Sequence, residues 1–181
     1  MAKQLEGLNQ DLIAFVERQK MFFVGTAMKE GRVNLSPKGM DTFRVIDENR
    51  IVWLNLTGSG NETATHLQES DRMTIMFCAF EGKPLILRLY GQAKVYHERD
   101  AIFQAHIDSF PANAGARQII VLEIDLVQTS CGYAVPFMDF KEERTILKSW
   151  AEKQGKDKIR TYWKDKNTTS LDGLDTKIFE E

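Results

Sequence analysis

Apolar residues recur with two different periods along this chain, and the changes of period mark out its elements. In NQDLIAFVERQK (9–20), Leu12, Ile13, Phe15 and Val16 fall on neighbouring helical positions and Asn9 is placed to cap the first turn. An amphipathic helix is predicted there. The residues before it, starting from Met1, read as polar and helix-like rather than as a signal peptide. From residue 21 the pattern shifts to short runs rich in Val, Ile, Phe, Trp and Thr: MFFVGTA (21–27), GRVNLS (31–36), FRVI (43–46) and RIVWLNLT (50–57). The turn signals Lys29-Glu30-Gly31, Pro37-Lys38-Gly39 and Asp47-Glu48-Asn49 separate them, as in an antiparallel meander.

After a second helical stretch, RMTIMFCAF (72–80) and PLILRLYGQAKVYH (84–97) read as two long strands joined at Glu81-Gly82-Lys83, with Gly91 marking a bend or bulge. ERDAIFQAHIDSF (98–110) returns to helical spacing through Ile102, Phe103, His106 and Phe110. RQIIVLEIDLVQTSCGYAV (117–135) is β-rich, with Val121, Glu123, Asp125 and Val127 alternating. KEERTILKSWAEKQG reads as a surface helix stopped by Gly155, with Glu142-Glu143 in its first turn; the charged stretch beyond is expected to be partly helical and docked by Tyr162 and Trp163. Seven or so strands with a few helices predict a mainly β fold, a closed or split antiparallel barrel with peripheral α-helices. The whole of 1–181 is expected to form one domain, with its core at about 20–140 and a charged tail from 141.

Composition narrows the function without naming it. Lys plus Arg number 24 against 26 Asp plus Glu, so no basic surface for nucleic acid is expected. Runs such as Met21–Ala27 and Met73–Phe80 are too short to span a membrane, and the protein is expected to be cytoplasmic. Cys78 and Cys131 form no CxxC pair, and His66, His97 and His106 fit neither HExxH nor HxH spacing; no disulfide framework or metal site is predicted. Cys131 has no visible base near it in sequence, and is read as an inert thiol.

The most informative stretch is LNLTGSGNETATHL (54–67), which runs from a strand through two glycines into a helix. It lacks the GxGxxG and GK[ST] patterns, yet a helix starting near Asn61 would aim N–H groups at an anion beyond the strand end. The same residues fit a capping box, in which Ser59 caps the helix and Glu62 bonds back, with no ligand needed. Lys38, at the S-P-K-G turn, would favour an anion if it lay beside residue 59, and is otherwise a solvated lysine. Spacing leaves both readings open.

Taken together, VNLSPKGMDTFRVID (33–47), NRIVWLNLTGSGNETATHL (49–67), RMTIMFCAFEGKPLILRLYGQAKV (72–95) and QTSCGYAVPFM (128–138) resemble the pyridoxamine 5'-phosphate oxidase-like family of FMN-binding split barrels. SLDGL (170–174) resembles a further signature of one subgroup. The resemblance implies a homodimer with FMN in clefts at its interface. It places Asn34 and Ser36 near the ring or ribityl chain, Lys38 and Gly39 near the phosphate, Leu54 and Asn55 on the next contacting strand, and Ser59, Asn61, Glu62 and Thr63 at the phosphate turn and helix start.

This chain departs from the family at two points. Where true pyridoxamine phosphate oxidases carry an Arg-Lys pair it has positions close to Glu62 and Thr63, and no histidine follows His106 to complete their Arg-x-His substrate grip. Oxidation of pyridoxamine phosphate itself is therefore not expected. The expected activity is an FMN-dependent oxidoreduction of a small molecule, with Arg88, Tyr133 and Phe137 as substrate-side candidates; the alternatives are a non-catalytic carrier of flavin or haem and a barrel whose cleft is empty.

Overall fold

The structure, a computed structural model, describes residues 2–180. Its elements in chain order are β1 (Lys3–Leu5), α1 (Gln10–Arg18), β2 (Phe22–Thr26), β3 (Asn34–Lys38), β4 (Phe43–Asp47), β5 (Arg50–Leu56), α2 (Glu62–Glu69), β6 (Arg72–Cys78), β7 (Ile86–His97), α3 (Ala101–Ile107), β8 (Ala116–Ser130) and α4 (Ile146–Lys166). All strand pairs are antiparallel, and the sheet runs β3-β2-β6-β7-β8-β5-β4 with β1 added on β8. This is a split barrel: no ladder joins β3 to β4 among the described residues, and core side chains span the gap. Phe22 of β2 meets Phe43 of β4 with ring centroids 4.9 Å apart, and Phe77 lies 5.2 Å from Phe43 in an edge-to-face contact.

The helix at residues 9–20 forms as its pattern predicts. Asn9 Oδ1 accepts the Leu12 N–H at 3.0 Å, and Leu12, Phe15 and Val16 are buried against the barrel. Gly91 sits at a bulge, because Tyr90 pairs with Leu126 while Gly91 pairs with Ile124, leaving Asp125 as the extra residue on β8. A Cβ at Gly91 would lie 1.9 Å from the Glu123 carbonyl oxygen, so only glycine permits this approach of two backbones.

Five expectations are corrected. The N-terminal residues are not helix-like: Lys3–Leu5 form β1 along Val127–Thr129, an edge of β8 beyond the end of its ladder with β5. Pro37 and Lys38 belong to β3 rather than to a turn. Proline is tolerated there because β3 ends the sheet and has one free edge. The chain turns instead at Met40 and Asp41, both at positive φ. β8 ends at Ser130, short of residue 135, and the Asp125 bulge breaks the expected alternation, so that Glu123 is exposed and Val127 is in the core. Glu142-Glu143 precede the helix, which begins at Ile146 after Thr145 and has no acidic residue in its first turn. Ser59 does not cap α2, whose N-cap is Asn61 with no side-chain cap bond.

At Gly155 the backbone takes φ 72° and ψ 167°, and α4 changes direction. Past that kink Ile159 and Trp163 join Ala151 and Ile178 in a small apolar cluster of their own. Trp163 Nε1 donates to Thr57 Oγ1 at 2.9 Å, which fixes the C-terminal segment to the loop after β5.

Candidate functional site

β3 has one half-buried and one open face. Asn34, Ser36 and Lys38 line the first, while Val33, Leu35 and Pro37 point outward. Facing the first set lie Asn55 and Leu56 at the end of β5, the Gly58-Ser59-Gly60 loop, the start of α2, Arg117, and Lys166 with Thr169, Ser170 and Leu171 from the C-terminal segment. Together they enclose a cleft of about 540 Å³. A separate groove of about 790 Å³ lies between α1, the 80–85 turn and residues 138–140. Its charged residues, Asp11, Arg18, Lys20, Glu81, Lys83 and Asp139, are of both signs and all exposed, so size alone does not identify the site.

What distinguishes the cleft is buried, unneutralised positive charge. Arg117 is 3% exposed. It is the extra residue of a second bulge, since Asn55 pairs with Gln118 and Leu56 with Ala116, and the bulge turns its side chain into the cleft. Arg117 Nη1 donates to the Gly60 carbonyl at 3.0 Å and to Asn167 Oδ1 at 2.7 Å, while Nε is buried without a partner. Burial lowers its pKa to about 10. Lys38 Nζ lies 5.0 Å from the centre of the Trp53 ring, and burial, followed by the positive charge of Arg117, lowers its pKa to about 8. Neither cation has a carboxylate partner among the described residues.

The negative charge in the cleft is turned aside. Both Glu62 carboxylate oxygens accept the Leu171 N–H, at 3.1 Å each. Glu62 therefore holds the SLDGL loop rather than forming a capping box with Ser59, and the first turn of α2 keeps backbone donors without a side-chain cap. On the far side Arg32 pairs with Asp172, and its N–H donates to Asp172 Oδ2 at 2.9 Å. The SLDGL loop is thus tied both to α2 and to the β2–β3 loop. Beneath it Asn34 Nδ2 donates to Thr63 Oγ1 at 3.2 Å and to Thr26 Oγ1 at 3.3 Å, and Thr26 shares a 3.0 Å bond with His66 Nδ1. His66 is a packed core histidine that fixes β2 against α2.

Of the residues expected near a cofactor, Asn34, Ser36, Lys38, Asn55, Ser59, Asn61, Glu62 and Thr63 come together in this cleft. Gly39 and Leu54 do not line it: Gly39 lies against the Lys20 carbonyl beyond the end of β3, and Leu54 is buried beneath with Val52, Phe103, Phe110 and Ile119. Arg88 is on the outer face of β7, where Nη1 donates to Ser130 Oγ at 3.1 Å, and Tyr133 and Phe137 are each 82% exposed outside the cleft. Sequence reasoning missed Arg117, Lys166, Thr169 and Asn167. The one signal for Arg117 was a charge at the head of the apolar run QIIVL, which the bulge explains. No group of His, Cys, Asp or Glu able to hold a metal ion occurs among the described residues, and no described helix is long and apolar enough to cross a membrane.

Comparison with known proteins gives the same frame. Residues 8–131 match the family described as "Pyridoxamine 5'-phosphate oxidase". The chain is 34% identical over 187 residues to the pyridoxamine 5'-phosphate oxidase family protein ustO of Aspergillus flavus, covering 93% of this chain and 75% of that protein. Among solved structures, HupZ of Group A Streptococcus superposes with a TM-score of 0.52 at 17% identity, covering 66% of this chain and 91% of its own. A candidate pyridoxamine 5'-phosphate oxidase from Lactobacillus delbrueckii gives a TM-score of 0.53 at 16% identity, covering 68% and 94%. At such identities the structures speak for the fold, and the match over residues 8–131 speaks for descent: this chain belongs to the pyridoxamine 5'-phosphate oxidase family.

Proposed function

We propose that the protein is a flavoprotein that binds FMN in the cleft beside β3 and acts as an oxidoreductase on a small molecule. The observation that carries this reading is Arg117, a buried guanidinium with a free Nε and no carboxylate partner, set beside Lys38 and the uncapped start of α2. Backbone donors and two cations suit a phosphate dianion. A protein that buried such charge with no ligand to receive would be destabilised by several kcal/mol. When bound, FMN supplies the redox chemistry. The chain's own residues would anchor and orient it: Lys38 and Arg117 would hold the phosphate, Ser36 and Asn55 would serve the ribityl chain, and Asn34, fixed by Thr63, would keep β3 in place beside the ring.

In this reading the protein works as a homodimer. Val33 and Leu35 are 75% and 68% exposed on the outward face of β3, and Tyr133, Phe137 and Met138 form a second exposed apolar group. Tyr133 and Phe137 then cover the cleft of a second copy, and Arg88, which does not reach the cleft of its own chain, faces substrate only through such pairing. The test is the visible spectrum of the purified protein. A yellow preparation that releases FMN on denaturation, and is bleached by NADPH or NADH and recoloured by an acceptor, is the expected result. A colourless preparation that takes up no added FMN would overturn the assignment.

A further inference from the structure

Of the two residues that hold Arg117, Gly60 lies inside the family-matched region and Asn167 lies outside it. Asn167, which is 0% exposed, caps the end of α4, and its single amide group performs two tasks: Oδ1 accepts from Arg117 at 2.7 Å and Nδ2 donates to the Gly58 carbonyl at 3.1 Å. Arg117 in turn donates to the Gly60 carbonyl at 3.0 Å. Asn167 therefore grips the Gly58-Ser59-Gly60 loop at one end directly and at the other through the guanidinium. Its own backbone is fixed from three sides. The Asn167 N–H donates to the Trp163 carbonyl at 2.8 Å, and its carbonyl accepts from Thr176 Oγ1 and, at 3.5 Å, from Asn61 Nδ2.

The choice of amide over carboxylate is what makes this arrangement informative. An aspartate has the same shape and would neutralise the buried guanidinium, as buried arginines usually require. An asparagine orients Arg117 while leaving its charge uncompensated. We infer that Asn167 is a positioning residue that presents Arg117 and the glycine loop to a phosphate monoester without competing for the cation, so that the C-terminal segment completes the anion end of the cleft. This rests on the reading of the cleft as a flavin site, but its central claim concerns the phosphate alone.

The test compares wild type with Asn167→Asp and Asn167→Ala, measuring FMN and riboflavin affinity by flavin fluorescence, and the rise in Tm that inorganic phosphate gives the flavin-free protein. Asn167→Asp neutralises Arg117 and loses the donor to the Gly58 carbonyl; the expected result is FMN affinity lower by at least tenfold, riboflavin affinity unchanged, and no stabilisation by phosphate. Asn167→Ala should lose FMN affinity too, together with some Tm. An Asn167→Asp protein that binds FMN as wild type does, or loses FMN and riboflavin in equal measure, overturns the inference. If wild type binds no flavin but is stabilised by phosphate, and Asn167→Asp is not, the flavin reading fails and the role of Asn167 stands. If phosphate stabilises neither and flavin binds to neither, both fall.

Discussion

With its pKa at about 8, the Lys38 ammonium is mostly charged at pH 7 and mostly neutral by pH 9. An anion beside it favours the charged form, so FMN affinity should fall as pH rises through about 8, with proton uptake on binding. The FMN phosphate is already dianionic across that range, with a second pKa of about 6, so the protein group alone reports. Fluorescence titrations from pH 7 to 9 check this, and Lys38→Ala should weaken binding by about 1.5–3 kcal/mol at pH 7 and flatten the profile. The sign for stability is the opposite of that for a salt-bridged lysine. The native pKa lies below the ordinary 10.5, so the unfolded chain binds more protons between about 8 and 10.5. The destabilising contribution is full below pH 8 and is relieved as pH climbs through that window.

Arg117→Met gives a complementary outcome. Removing the guanidinium relieves a buried charge but leaves Asn167 Oδ1 and the Gly60 carbonyl without their donor, so the readout is affinity by flavin fluorescence: FMN binding should drop more than tenfold with riboflavin binding unchanged. At this scale the sequence was legible where a contiguous motif carries the residue. Asn34 and Ser36 sit on the expected strand and were named by the family resemblance, Lys38 was expected in a turn and proves to continue β3, and LNLTGSGNETATHL announced a strand-to-helix turn. It was not legible for Glu62, whose carboxylate is claimed by an N–H 109 residues away, nor for Arg117, which enters the cleft because one strand has a residue more than its partner.

The elements depend on places where the chain breaks its own period. Gly91 is the clearest case, and Gly91→Ala should cost about 3 kcal/mol, a Tm loss on the order of 6–12 °C by thermal melt, since the new methyl meets backbone that cannot rotate away. The two bulges on β8 do different work. The one at Asp125 lets the long β7–β8 ribbon bend around the core, and the one at Arg117 aims a cation. Helix α1 was readable from local signals because both its cap and its apolar face are encoded within ten residues. By contrast β1 is three residues with no period of its own, and exists because β8 runs on past the end of β5 and offers it an edge. The C-terminal helix reads as helix, but its bend at Gly155 and its attachment through Trp163 to Thr57 depend on contacts that sequence does not display.

For the whole molecule, the outward face of β3 leaves Val33 and Leu35 exposed. If two copies pair there, the protein should elute from size exclusion with light scattering at twice 20.8 kDa, and Leu35→Asp should halve that mass and lower FMN affinity while leaving the protomer folded by circular dichroism. A monomeric wild type that binds FMN would refute pairing as a requirement. The sequence by itself determined the class of fold, the order of most elements, the family, and the strand and turn that line the cleft, because each is written in local period, turn chemistry or contiguous motif. Tertiary structure alone decided that two cations converge without a carboxylate, that Glu62 turns away to hold Leu171, and that Asn167 reaches back to Gly58 and Arg117. Those facts rest on ladder register and on contacts between residues 50 to 109 positions apart, where a shift of one residue reverses the face a side chain occupies.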